Sequence, residues 1–499
     1  MSLKSLTKIL IRNQNAITTT IRRSYYTNRT KKTTLYTKIS PLGDPKTTLV
    51  PELENWVQNG NKIRVAELQR IIRDLRKRNR FTQALEVSEW MNRNEICLFS
   101  PVEHAVQLDL IGKVRGFLSA ESYFNSLMDH DRNDKTYGAL LNCYVRERQT
   151  DKSLSHLQKM KELGFASAPL AYNNIMCLYT NLGEHEKVLH VLAEMKKNNV
   201  SPDNFSYRIC INSYGARSDI EGMEKVLNEM ECQMGNAVDW NTYAVVANIY
   251  IKASLADKAI EALEKSEEKL DKKDGTGYNH LITLYASLGN KAEVLRLWDL
   301  EKIECKRQIN RDFVTMLESL VKLNELEEAE KILREWESSG NFHDARIPNI
   351  IVVGYCRNGL YEKAEALLED LTEKGKASSP NSWANIASGY LEKGKTARSF
   401  ECMKAALALR VDNKGWKPNH RVVGDILCWL GDEGSAEDVE AFATSLRSAI
   451  PANREIYHAL LKANVRSGRD VGGILYCMKT DKIDEDEDTK KILALGRSI

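Results

Sequence analysis

Aromatic residues return at a nearly constant interval: Tyr137, Tyr172, Tyr207, Tyr243, Tyr278 and Phe313 are separated by 35, 35, 36, 35 and 35 residues, and Trp383 and Tyr457 continue the series. A second ladder, Tyr144, Tyr179, Tyr214, Tyr250, Tyr285, Tyr355 and Tyr390, follows seven or eight residues behind. Seven residues make about two helical turns, so each pair of aromatics shares one face of one helix. Residues 169–203 show the whole unit. Tyr172, Ile175, Met176 and Tyr179 form the apolar stripe of a first helix, Gly183 supplies the break, and Val188, Val191, Leu192 and Met195 form the stripe of a second. Gly289, Gly359, Gly394, Gly434 and Gly468 recur at the place of Gly183. Units then begin near Val65, Ser100, Asp134, Pro169, Asn204, Trp240, Gly275, Asn310, Ala345, Pro380, His420 and Arg454. A hairpin of this size cannot bury its stripes alone, so the units must stack. The pattern predicts an all-α solenoid of about twelve 35-residue helix-turn-helix repeats over residues 65–488. Residues 26–64 read as a linker and N-terminal cap, 489–499 as a C-terminal tail, and Val411 to Gly415 as a surface loop inserted in the unit from Pro380.

Charge is uneven along the 499 residues. Residues 1–43 hold nine Lys or Arg and no acid, interleaved with Ser and Thr, which is the composition of an organellar transit peptide. Arg22-Arg23-Ser24-Tyr25 resembles a mitochondrial processing site, giving a transit peptide over 1–25 and a mitochondrial matrix protein. Loss of that segment takes the formal charge from +3 to −2, so net charge gives no support to nucleic-acid binding. The acidic run Asp484 to Asp488 reads as a solvated face or tail. No stretch approaches the roughly 18 apolar residues of a membrane helix, so no membrane insertion is expected.

A unit with tyrosine fourth, glycine near fifteen, methionine near twenty-seven and Pro202-Asp203 at its end resembles the pentatricopeptide repeat more than the 34-residue tetratricopeptide repeat. The opening segment, Ala66-Glu67-Leu68 to Glu89-Trp90-Met91, looks like plant mitochondrial members of the P class. The resemblance implies a right-handed superhelix that binds single-stranded RNA in its concave groove, one base per repeat. It implies further that the residue after the tyrosine position reads a base edge, assisted by the last residue of the repeat, with apolar residues at the second position of adjacent repeats sandwiching the base. Asn173 with Asp203 matches a uracil-preferring pair, clamped by Leu170 and Phe205. Asn349 with Ser379 resembles a cytosine-preferring pair, although Arg346 and Asn381 stand where the clamp should be. The pairs Arg208/Asp239, Ala244/Asp274, Asn279/Ile309, Ala384/Asn419 and Gly424/Asn453 match no code. Basic residues near the ends of the first helices, Lys77, Arg146, Lys252, Lys322, Arg357 and Arg466, are candidate phosphate contacts, together with the run Arg70 to Arg80.

Chemistry is absent from the pattern. The chain has no H-x-E with P-C-x-x-C, no Walker-type loop and no two of its ten cysteines at C-x-x-C spacing, and its histidines lack ligand partners. The expectation is a non-enzymatic protein without cofactor or metal, acting in organellar transcript processing, stabilisation or translation. A structural or assembly component of the mitochondrial ribosome, contacting ribosomal RNA and proteins, and a protein-protein adaptor stay open as alternatives.

Overall fold

The computed structural model describes residues 34–44, 47–234, 237–376, 379–409 and 415–495. The basic leader and residues 411–414 of the expected loop lie outside the described residues. Among the described residues there are 27 α-helices, one 3-10 turn and no strand. Twelve consecutive hairpins account for most of them, with first helices beginning at Val65, Pro101, Asp134, Pro169, Asn204, Trp240, Gly275, Asn310, Arg346, Pro380, His420 and Arg454. We number the repeats 1 to 12 by these helices. The chain divides into two compact units, Met1–Asn236 with repeats 1–5 and Ala237–Ile499 with repeats 6–12.

Local chemistry explains the punctuation. The last residue of many repeats is the N-cap of the next first helix: Asp203, Asp239, Asp274, Ser379, Asn419 and Asn453 each accept a hydrogen bond from a backbone N–H one or two residues into that helix. A cap of this kind satisfies an orphan donor and is worth about 1 kcal/mol. The turn inside most hairpins uses a left-handed residue, which Gly183, Gly289, Gly359, Gly394 and Gly468 supply without a Cβ penalty. Asn79, Arg148, Ser218, Ser254 and Asn324 occupy the same kind of conformation in other repeats. Gly434 does not belong to that set; its φ is −73°, and the following helix starts from the Ser435 cap.

Within each unit, a first helix packs on its own second helix and on the neighbouring first helix. The aromatic ladders are core: Tyr172, Tyr207, Tyr278 and Tyr457 are fully buried. In the second ladder, the Tyr144, Tyr355 and Tyr390 hydroxyls donate to Glu121, Glu330 and Glu365 of the preceding repeat's second helix at 2.7, 2.6 and 2.7 Å. Burial of the ring and satisfaction of its hydroxyl thus tie one repeat to the next.

Both ends of the array carry further helices. Helices Leu35–Ile39 and Val50–Gln58 precede repeat 1. Arg78 donates to the Tyr36 hydroxyl at 2.8 Å, and Gln83 donates to the carbonyls of Leu42 and Thr47 at 2.9 Å each. At the other end, the predicted tail is helical through Leu495. Helix Glu487–Leu495 packs on the first helix of repeat 12, burying Thr489 and Ile492. The acidic run is not simply solvated, because Asp486 caps this helix through the Thr489 N–H at 2.8 Å. That backbone bond, the Thr489 hydroxyl, and the nearby His458 and Arg454 hold the Asp486 pKa at about 2.

Candidate nucleic-acid interface

In repeat 4 the structure joins Asn173 to Asp203. Asn173 is only 2% exposed; its amide donates to Asp203 Oδ1 at 3.2 Å, and its Oδ1 accepts from the Ser206 hydroxyl at 2.7 Å. One amide proton is left without a partner among the described residues. Burial works to raise the Asp203 pKa, but bonds from the Ser206 N–H, the Ser206 hydroxyl and the Asn173 amide outweigh it and hold the carboxyl below its usual value. Leu170 and Phe205 remain 64% and 45% exposed at the second position of adjacent first helices. Two large apolar side chains are thus left in solvent at the positions that precede and follow this amide in the repeat register.

Repeat 9 builds half of this arrangement. The Ser382 hydroxyl donates to Asn349 Oδ1 at 2.7 Å and shares a hydrogen bond with Ser379 at 2.8 Å. Its flanks are polar and occupied: Arg346 is bonded to Asp344, and Asn381 Oδ1 accepts from the Trp416 indole at 2.8 Å. Sequence reasoning missed Ser206 and Ser382, which belong to the following repeat. The available signal was the cap followed three residues later by a hydroxyl, Asp203 to Ser206 and Ser379 to Ser382.

Repeat 7 is wired differently. The Asn279 amide donates to Asp312 Oδ1 at 2.7 Å and to the Gly275 carbonyl at 2.8 Å. The partner is again the third residue of the next first helix, not Ile309. On the first-helix face of repeats 6–8 a cavity of about 600 Å³ presents Asn241, Asn248, Thr276, Asn279, His280 and Arg311 among apolar side chains that include Val245 and Leu284. Near Gly275 and Asp312 lies Glu301, fully buried and with neither carboxyl oxygen hydrogen-bonded among the described residues. Burial first, and the Asp312 carboxylate second, push its pKa up to about 8, with Arg311 opposing them.

The basic candidates separate into two groups. Lys77, Lys252 and Arg357 are exposed and carry no hydrogen bond or ion pair among the described residues. Lys322 donates to Ser287 at 2.8 Å but stays exposed. Arg146 is paired with Asp109 at 3.5 Å, and Arg466 donates to the carbonyls of Asp432 and Gly434 at the end of the preceding first helix. These two are tied into the scaffold. So is much of the Arg70 to Arg80 run, since Arg76 pairs with Asp109 at 2.9 Å and Arg78 and Arg80 hold the N-terminal segment. Among the described residues no three His, Cys, Asp or Glu side chains are grouped to hold a metal ion.

Comparison with known proteins bears on these arrangements. Residues 170–216 match the PPR repeat family, and 135–165, 205–233, 313–341 and 347–375 match the PPR repeat. A mitochondrial pentatricopeptide repeat-containing protein of Arabidopsis thaliana is 58% identical over 95% of this chain and 96% of its own length. The chain belongs to the pentatricopeptide repeat family. A second such mitochondrial protein of Arabidopsis thaliana is 37% identical over 86% of each chain. The large ribosomal subunit protein mL101 of the same organism is 31% identical over 92% of this chain and 94% of its own. Among solved structures, maize PPR10 in complex with an 18-nt psaJ RNA element aligns over 89% of this chain and 74% of that one, at 16% identity and a TM-score of 0.37. With such relatives, this chain is a mitochondrial member of the family.

Proposed function

We propose that the protein binds single-stranded RNA in mitochondria along the first-helix face of its repeats, and acts there in transcript processing, stabilisation or translation. Repeat 4 carries the reading. An amide oriented by Asp203 and Ser206 and flanked by exposed Leu170 and Phe205 suits a splayed base, which stacks on apolar edges and hydrogen-bonds along its Watson–Crick edge. Lys77, Lys252, Lys322 and Arg357 are the basic side chains free to meet phosphates on this reading. In the test, short RNAs with and without uridine are titrated against the wild-type chain and Asn173→Ala. The substitution is expected to weaken uridine-bearing RNA by roughly 1 to 3 kcal/mol. Unchanged affinity for every RNA would remove the base-reading role of Asn173.

A second reading, a structural or assembly component of the mitochondrial ribosome, is favoured by the end-to-end similarity to mL101. Sedimentation of the tagged protein from mitochondria, with and without RNase, separates the two. Discrete messenger footprints support the first reading, and constant co-sedimentation with a ribosomal subunit supports the second.

A further inference from the structure

A cavity of about 730 Å³ lies at the C-terminal end of the array, and its lining repeats the register of the groove in repeats 6–8. Counted from the start of each first helix, the repeat 6–8 groove uses the second, fifth, sixth and ninth positions, as in Asn241, Ala244, Val245 and Asn248. The C-terminal cavity uses Arg421, Gly424, Asp425 and Cys428 of repeat 11, then Glu455 and Lys462 of repeat 12. Asp488 and Lys491 take the second and fifth positions of helix Glu487–Leu495. That last helix therefore stands in for the first helix of a further repeat, and the same lining register recurs at the end of the described chain.

The chemistry of this segment is its own. The base-reading position of repeat 11 is Gly424, without a side chain, and the Glu455 carboxylate leans over the vacated space: a Cβ on Gly424 would lie 3.3 Å from Glu455 Oε2. Among the described residues the one hydrogen bond to the Glu455 carboxylate is a long one, 3.5 Å from the Asn453 amide, so its carboxylate is available to a ligand. Arg421 occupies the second position, the place of Leu170 in repeat 4, where a planar guanidinium can stack on a base. Lys462 pairs with Asp432 at 2.7 Å and Lys491 with Asp488 at 2.9 Å, and Arg421 shares the lining with Asp425 and Glu455, so the cavity has no excess positive charge to draw a free phosphate. It suits a neutral base with donors and an acceptor on its edge. A carboxylate requires two adjacent N–H donors for a bidentate contact, and among the four RNA bases guanine alone offers them, at N1 and N2. Uracil would turn a carbonyl toward it on either side of its one N–H, and adenine and cytosine would present a ring nitrogen lone pair. The geometry points to a guanine-reading site in repeat 11, with Glu455 accepting from N1–H and N2–H, Lys462 donating to O6, and Arg421 stacking on the ring.

This site rests on the RNA-binding reading, and the test keeps the two apart. Sixteen-nucleotide oligouridylates, one all-uridine and the others carrying a single guanosine at successive positions, are titrated against the full chain and Glu455→Gln. One placement is expected to bind roughly five- to a hundredfold tighter than all-uridine RNA. Inosine at that placement, which lacks the N2 amine, should lose most of the gain, and Glu455→Gln should erase the difference between the guanosine-bearing and all-uridine RNAs. If oligouridylate binds but no placement of guanosine helps, or if the gain survives Glu455→Gln, the guanine site is overturned and RNA binding stands. If no oligonucleotide binds at all, both fall.

Discussion

Glu301→Gln should make the second unit less sensitive to alkaline pH. Glu301 is fully buried, neither carboxyl oxygen has a partner, and its pKa stands at about 8 against an ordinary 4.5. Because the folded value lies above the unfolded one, the native chain holds a proton that the unfolded chain releases. The associated stability is fully present below about pH 4.5 and is lost progressively as the pH rises to about 8. Each pH unit in that window corresponds to about 1.4 kcal/mol, so a rigid site would forfeit about 4 kcal/mol by pH 7.5. Relaxation and entry of water lower this, and about 2 kcal/mol is the expected net effect. Glutamine keeps the size of the side chain and cannot ionise. Thermal melts followed by circular dichroism from pH 5 to 9 should show the two proteins together at pH 5 and the variant higher by about 5 °C at pH 8.5. Titrations elsewhere cancel in that difference. Hydrogen exchange in helices Gly275–Ser287 and Lys291–Glu304 should show the same divergence, which matters because repeat arrays need not melt in a single step. Parallel curves at every pH would refute the argument, since the carboxyl would then be ionised or paired in the fold.

Two other substitutions, a truncation and a chemical modification extend the test. Gly389→Ala would place a Cβ 2.0 Å from Tyr361 Cε1 and should destabilise repeats 9 and 10 by about 1–3 kcal/mol in denaturant melts. Ser206→Ala removes the hydroxyl that holds the Asn173 carbonyl and should cost about 1–3 kcal/mol, while lowering uridine-bearing RNA affinity in the same direction as Asn173→Ala. Deleting residues 487–499 uncovers the repeat 12 first helix, and should raise dye binding to apolar surface and the exchange rates of helix Arg454–Arg466 first. Iodoacetamide should modify the exposed Cys232 and Cys477 well before Cys210, whose thiol is fully buried and pushed up to about 12 by that burial.

Much of the candidate site was legible residue by residue, and its wiring was not. Asn173 and Asp203 could be named from their place in the repeat, but the capping role shared by Asp203, Asp239, Asp274 and Asn453 gives the last position of a repeat a structural reason to be polar whether or not a base is read. The same doubleness affects the basic residues. Arg146 and Lys252 occupy equivalent places in the pattern, yet Arg146 faces the Asp109 carboxylate and Lys252 faces solvent.

By itself the sequence determined the all-α class, the number of repeats and their register. Each repeat carries its own stripe, turn and cap within 35 residues, and such local signals need no knowledge of distant partners. Only the tertiary structure decided which side chains meet across repeats: Ser206 on Asn173, Asp312 on Asn279, Glu301 sealed without a partner, Glu455 over Gly424, and a final helix in place of a tail. Those contacts depend on how one hairpin stacks on the next. A residue some 30 positions away along the chain becomes a neighbour only when that stacking buries both, and burial then sets which polar atoms must be satisfied and which stay available to a ligand.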